Sequence, residues 1–72
     1  MTDTDRAILT IEGQHWRHAG TKEAAIHEQL GLSPTAYYQR LNRLLDDPEA
    51  VAASPLVVHR LRRIRVRRRR DG

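Results

Sequence analysis

Each of the three prolines in this chain follows a residue that caps helices well. The pairs are Ser33-Pro34, Asp47-Pro48 and Ser54-Pro55. A serine or aspartate at the N-cap accepts a hydrogen bond from a free backbone N–H group, and proline is tolerated at the first helical position because its N–H group would be unpaired there anyway. The sequence therefore predicts three helix starts. They begin a helix over about 34–45, a short helical turn over 48–53 and a helix from 55 into an arginine-rich end.

The apolar spacing near the N-terminus predicts a first helix over residues 5–19. On a helical wheel its apolar side chains fall in one arc together with His15 and Trp16. Trp16 is expected to be the largest side chain of the core. Glu12 lies inside the same arc, where an unpaired carboxylate is unfavourable. We expect either that this face is only partly buried or that Glu12 meets an arginine or a tyrosine hydroxyl.

A glycine and a threonine predict the boundary between the first helix and the second. Gly20 suits the left-handed position that follows a helix, and Thr21 suits the N-cap of the next one. The second helix is expected over about 22–30, and Gly31 is expected to end it. Its inward side chains are expected to be Ala25, Ile26, Gln29 and Leu30.

The net charge of +4 is divided unevenly along the chain. Residues 1–50 carry five basic and eight acidic side chains, a net charge of −3, whereas residues 51–72 carry eight arginines against Asp71, a net charge of +7. Arginine forms bidentate contacts with phosphate, so its use instead of lysine favours a nucleic-acid partner.

The composition also argues against several classes of protein. There is no cysteine, so neither disulfides nor thiolate metal sites are expected. His15 and His18 have no third ligand at a recognisable spacing, and no glycine-rich phosphate loop is present. No apolar run is long enough to span a membrane, and the acidic start is unlike a signal peptide. We expect a cytoplasmic protein that is not an enzyme, needs no cofactor and binds no membrane.

The stretch from Leu30 to Leu41 is typical of a tight turn followed by an amphipathic helix. The inward side chains predicted for that helix are Tyr37, Leu41, Leu44 and Leu45. Amides on the opposite face suit adenine edges in a major groove, arginine suits guanine, and the free N–H groups at the helix start suit phosphate. The predicted DNA-binding residues of this helix are Ser33, Thr35, Tyr38, Gln39, Asn42 and Arg43. The alternative is a plain helical hairpin with an ordinary polar outer face.

The order Leu30-Gly31-Leu32-Ser33, with Tyr37 six and Leu41 ten positions after the glycine, resembles the helix-turn-helix of sigma-factor region 4 and similar trihelical DNA-binding domains. A longer set of strings is similar to a family of small actinobacterial proteins of unassigned function. They are Trp16 to Glu23, Gly31-Leu32-Ser33, Tyr37-Tyr38-Gln39, Leu41-Asn42, Pro48-Glu49-Ala50 and the arginine-rich end. These resemblances imply a helix-turn-helix fold and an origin in high-GC bacteria, but no proven activity.

Eight of the eleven positions from 60 to 70 are arginine, and all eight are predicted to bind DNA. They are Arg60, Arg62, Arg63, Arg65, Arg67, Arg68, Arg69 and Arg70. The spacing of Val57, Leu61 and Ile64 predicts a helix there rather than a strand, with one apolar strip that packs on the domain. Beyond about Arg65 we expect the helix to fray in isolation and to become ordered on phosphate.

The predicted fold class is therefore all-α: a trihelical helix-turn-helix domain and short helical turn over 1–54, then an arginine-rich helix and tail over 55–72. We expect a transcriptional regulator or nucleoid-associated factor that binds duplex DNA. A monomer of this size reads few base pairs, so useful specificity requires a homodimer or another anchor. The alternative is an interaction module that docks on RNA polymerase or the ribosome, with the arginines on RNA or an acidic surface.

Overall fold

Helices account for nearly all of the chain, as the sequence predicts. The computed structural model describes the backbone of residues 1–71 and the side chains of residues 1–67. Over this range the helices are α1 (Asp3–Gly13), α2 (Ala19–Leu30), α3 (Pro34–Leu44), α4 (Pro48–Ala53) and α5 (Pro55–Asp71). The predicted all-α class is confirmed.

The helix starts predicted at the prolines are confirmed. Ser33 Oγ accepts a hydrogen bond from the backbone N–H group of Ala36 at 3.2 Å, and the carboxylate of Asp47 accepts one from Glu49 at 2.9 Å. Helix α4 has the predicted bounds, and α3 ends at Leu44, one residue earlier than predicted. Helix α5 extends to Asp71, and the expected fraying beyond about Arg65 in isolation stays a prediction.

The predicted boundary between the first two helices is wrong. Helix α1 ends at Gly13, and α2 begins at Ala19, so Gly20 and Thr21 lie inside its first turn instead of stopping one helix and capping the next. The half-buried Trp16 reaches the core from the loop over 14–18, and its indole N–H group donates a 2.7 Å hydrogen bond to a backbone carbonyl near the end of α1. The helical wheel placed Trp16 on the side of the chain that faces the core, although the backbone at Trp16 is not helical.

Helix α1 lies in the middle of the fold and contacts α2, α3 and α5. The buried apolar residues are Ile8, Leu9, Ile11, Ile26, Tyr37, Leu41, Leu44, Leu45, Ala50 and Val58. All four inward side chains predicted for α3 are in this set. In three places the prediction is wrong: His15 and Gln29 are exposed, and α5 buries Val58 more deeply than Ile64. The largest fully buried side chain is Tyr37, not Trp16.

Glu12 is buried, and a tyrosine hydroxyl satisfies it, as one of the two sequence-based alternatives proposed. The hydroxyl of Tyr37 donates a hydrogen bond to Glu12 Oε2, and Lys22 Nζ lies 2.8 Å from the same oxygen. Burial, and then the bond to Glu12, raise the pKa of Tyr37 well above its ordinary value. The cluster links α1, α2 and α3, so it fixes the angle at which α3 leaves the turn.

The turn between α2 and α3 is built on Gly31, as predicted. Gly31 has a φ of 66°, and its N–H group donates a 2.8 Å hydrogen bond to the carbonyl of His27. A left-handed backbone is readily adopted by glycine and disfavoured by residues with a Cβ atom. Gly31 therefore lets the chain reverse at once and begin α3 three residues later.

None of the described helices is both long enough and apolar enough to cross a membrane.

Candidate nucleic-acid interface

The outer face of α3 is polar and exposed. Thr35, Gln39, Asn42 and Arg43 are all exposed, while Tyr37 and Leu41 on the opposite side are buried. The buried side holds the helix at a fixed orientation, and the outer side presents an arrangement of amides, a hydroxyl and a guanidinium. Such a face meets the chemical requirements of base-edge recognition, in which amides and guanidinium groups bond to the groove edges.

Two predicted residues at the start of α3 are partly engaged within the fold. Ser33 Oγ is the N-cap acceptor, so its oxygen is used by the helix itself. The ring of Tyr38 is 45% exposed, meets the ring of Tyr37 edge-on at 5.0 Å, and has Lys22 Nζ 5.7 Å from its centroid. Tyr38 is thus held by an aromatic contact and a cation–π contact, and its exposed edge is available beside Gln39.

Three of the arginines of α5 hold that helix on the domain. Arg60 Nη2 donates a 2.6 Å hydrogen bond to the backbone carbonyl of Glu12, and Arg62 Nε donates one to the backbone carbonyl of Leu45. Arg65 Nη2 lies 2.9 Å from Asp46 Oδ1, and this hydrogen-bonded ion pair raises the pKa of Arg65. These arginines were predicted to bind DNA, but in the folded chain their guanidinium groups are committed to protein oxygens.

Two other arginines of α5 face solvent. Arg63 and Arg67 are exposed and lie four positions apart, so they share one face of the helix. That face points away from Val58 and Leu61, which pack against the rest of the domain. The predicted contacts at Arg68, Arg69 and Arg70 involve side chains outside the described residues. The described positive face of α5 is therefore formed by Arg63 and Arg67, together with the exposed part of Arg60 three positions before Arg63.

A groove of about 410 Å³ separates the second half of α3 from α5. It is lined by Tyr38, Leu41, Asn42, Leu45, Leu61, Ile64 and Arg65. Its walls are mainly apolar, and Arg65 spans it by bonding to Asn42 on α3 and to Asp46 in the turn that follows α3. The two elements predicted to bind DNA are therefore joined side by side.

A smaller and more polar hollow of about 210 Å³ lies beside α3. It is lined by Asp5, Arg40, Arg43, Leu44 and Asp47. Two carboxylates thus lie close to Arg43, the basic residue on the outer face of α3. Arg40 lines the same hollow, so its two carboxylates and two guanidinium groups balance in formal charge. The net positive charge of the chain therefore comes from α5.

The sequence-based prediction missed the contact between Arg65 and α3. The four-residue spacing of Asn42 and Asp46 gave only a weak signal, because α3 ends at Leu44 and Asp46 lies in the turn that follows. The density of arginines obscured it, since nothing in the spacing distinguishes Arg65 from its neighbours.

Within the described side chains, no group of three or more histidines, cysteines, aspartates or glutamates could hold a metal ion.

The comparison with protein families assigns the chain. A family model matches residues 1–71, a range that includes both α3 and α5. The chain belongs to DUF3263. This family is described as a protein family of unknown function. Comparison of the DUF3263 chain with curated proteins and with solved structures gives no match.

The roles of the predicted site residues in the DUF3263 chain stay predictions. The match identifies no ligand and no residue role, so any functional assignment has to come from the chemistry of the two adjoining helices.

Proposed function

We propose that this chain is a small, sequence-tolerant DNA-binding protein, either a transcriptional regulator or a nucleoid-associated factor. The observation that carries the proposal is the exposed polar face of α3, which buried Tyr37 and Leu41 fix from behind. The exposed arginines of α5 add the positive charge. In this proposal α2, the turn at Gly31 and α3 work as a helix-turn-helix, in keeping with the resemblance to sigma-factor region 4. The resemblance to small actinobacterial proteins suggests the same origin. Binding to DNA would place the protein in the cytoplasm, on the nucleoid.

Helix α3 enters the major groove in this proposal. Thr35 and Gln39 on its first two turns reach base edges, and Arg43 one turn later reaches a base edge or the adjoining phosphate. The N-terminus of α3, with its free backbone N–H groups, approaches a phosphate. The apolar contacts of Tyr37 and Leu41 hold these groups at one orientation, which base-edge hydrogen bonds require.

Helix α5 contributes most of the affinity in this proposal. Arg63 and Arg67 contact phosphates, and the arginines that follow extend the same strongly basic end of the chain. Non-specific DNA affinity is supplied mainly by phosphate neutralisation. The net charge of −3 over residues 1–50 means that the domain itself would attract DNA poorly without α5.

Substitutions on α3 test the role of its outer face. We expect the full chain to bind duplex DNA at ~50 mM salt, and Gln39→Ala with Arg43→Ala to weaken binding about tenfold and to change sequence preference. The matched control is Gln14→Ala, an exposed glutamine in the loop before α2. Fluorescence anisotropy with labelled duplexes measures both. If the α3 double variant bound every duplex as the wild type does, α3 would not be the reading helix.

A second candidate function is an interaction module that docks on RNA polymerase or the ribosome. The observation that favours it is the apolar groove between α3 and α5, beside which Tyr38 is 45% and Ile64 38% exposed. This alternative predicts an association with one of these assemblies that resists DNase and is unaffected by Gln39→Ala and Arg43→Ala. Loss of the association on DNase treatment would contradict it. Substitutions are preferable to deletion of residues 60–70, because Arg60 and Arg62 hold α5 in place.

A further inference from the structure

Arg65 bridges two side chains, Asn42 on α3 and Asp46 in the turn that follows α3. Its Nη1 donates a 3.1 Å hydrogen bond to Asn42 Oδ1, and its Nη2 lies 2.9 Å from Asp46 Oδ1. A further contact of 3.3 Å joins Nη1 to Asp46 Oδ2. The side chain of Arg65 is only 23% exposed, whereas that of Asp46 is 67% exposed. The guanidinium is therefore held in place by the bidentate carboxylate contact, and one of its N–H groups is directed at Asn42.

This bridge determines which way the Asn42 amide faces. An amide side chain has one acceptor oxygen and one NH₂ group with two donors. Because the oxygen is turned toward Arg65, the NH₂ group occupies the opposite branch of a side chain that is otherwise exposed. Asn42 therefore presents hydrogen-bond donors to whatever approaches the outer face of α3.

We infer that Arg65 is a positioning residue that makes Asn42 read hydrogen-bond acceptors on base edges. This inference rests on the proposed function, because it requires α3 to lie in the major groove. Guanine presents O6 and N7 there, and thymine presents O4, all of them acceptors. The bidentate pairing of asparagine with adenine instead uses the amide oxygen and the NH₂ group together. Adenine presents one acceptor, N7, beside a donor that Asn42 can no longer accept from once its oxygen is bonded to Arg65, and cytosine presents only a donor. Asn42 therefore favours guanine or thymine over adenine and cytosine.

Selection of duplexes from a random-sequence pool tests the inference with the full chain. The variant Asn42→Ala first locates the base pair that Asn42 contacts, because the preference there flattens. At that position the wild type is expected to prefer guanine or thymine. In Arg65→Gln the amide is free to turn, so the frequency of adenine there should rise at least about fivefold, the lower range of discrimination by one good base contact.

Arg67→Gln is the matched control. Arg67 lies on the same helix and carries the same charge, but it is exposed and does not contact Asn42. Its substitution should lower affinity for every duplex to a similar extent and leave the selected sequence unchanged. An effect of charge alone would appear equally in both variants, whereas an effect on Asn42 orientation appears only in Arg65→Gln.

A second variant decides the question if Arg65→Gln does not fold. Asn42→Asp keeps an oxygen for Arg65 and presents a second oxygen outward, so the preference should move to cytosine or adenine, which offer donors. An unchanged preference in Asn42→Asp, or in a folded Arg65→Gln, would overturn the inference and leave DNA binding intact. Binding by the wild type without any sequence preference would do the same. Failure of the wild type to bind any duplex would overturn the proposed function as well.

Discussion

A hydrogen bond to Glu12 helps to link three helices, and removal of one oxygen atom, the hydroxyl oxygen of Tyr37, breaks it. Tyr37 is fully buried, and its hydroxyl donates to Glu12 Oε2. In Tyr37→Phe that oxygen keeps Lys22 but loses its other partner in a buried site. Hydrogen bonds to charged groups contribute about 1.5–3 kcal/mol, so we expect the free energy of unfolding to fall by about 2 kcal/mol. Urea unfolding followed by circular dichroism measures the change.

The neighbouring tyrosine provides the control. Tyr38 is 45% exposed and touches the same cluster by its ring. Tyr38→Phe keeps the ring contacts with Tyr37 and Lys22, so we expect a change of no more than about 0.5 kcal/mol. Equal effects in the two variants would show that the Tyr37 hydroxyl contributes nothing beyond the ring.

The chemical type of the group that bonds to Glu12 was predicted correctly, but the residue that supplies it was not predicted. An apolar arc that contains a carboxylate requires a donor, and this follows from the sequence alone. Which donor reaches it depends on how α2 and α3 pack on α1. Lys22 and Tyr37 are far from Glu12 in the sequence, so spacing along one helix could not reveal them.

Two glycines at the two ends of α2 have opposite roles. Gly31 has a φ of 66°, whereas Gly20 lies inside the helix with open space where a Cβ atom would be. Gly31→Ala should destabilise the fold by about 1–2 kcal/mol, the penalty for a left-handed residue with a Cβ atom. Gly20→Ala should instead stabilise it by up to about 1 kcal/mol, because alanine favours helix over glycine. Thermal unfolding measures both.

The sign of the Gly20 effect distinguishes the two accounts of the boundary between α1 and α2. If Gly20 stopped the first helix in a left-handed conformation, as its sequence context predicted, Gly20→Ala would destabilise the protein. Stabilisation by this variant supports the start of α2 at Ala19. Destabilisation would contradict it.

The helix starts were predictable where a local rule decides them. A serine or aspartate before proline sets the start of α3 and of α4 from adjacent residues. The end of α1 has no such rule in adjacent residues. The Trp16 indole turns back to the carbonyl of Ile11 five positions earlier, and a Cβ atom added at Gly13 would lie 3.6 Å from Val57 Cγ2 on α5. Neither feature leaves a periodic signal in the sequence.

At the scale of the whole molecule, the arginines of α5 have two different roles. The amino-acid composition alone does not reveal which arginine has which role. Arg60, Arg62 and Arg65 bond to oxygens of the domain, while Arg63 and Arg67 face solvent. The sequence predicts a basic segment with an apolar strip, and the structure adds that some of its arginines anchor it. The amphipathic character of α3 was predictable from one helical period, but the bridge between Arg65 and Asp46 was not.

The salt dependence of duplex binding tests the central claim that this chain binds DNA through the outward arginines of α5. Affinity should fall steeply between ~50 mM and ~200 mM salt, because each phosphate contact releases a counterion. Substituting Arg63→Gln and Arg67→Gln together should weaken binding and reduce the slope of log affinity against log salt by about 2. Arg17→Gln, which removes an exposed charge in the loop before α2, should leave the slope unchanged. Absence of binding to any duplex at ~50 mM salt, or a slope that the α5 double variant does not alter, would contradict the claim.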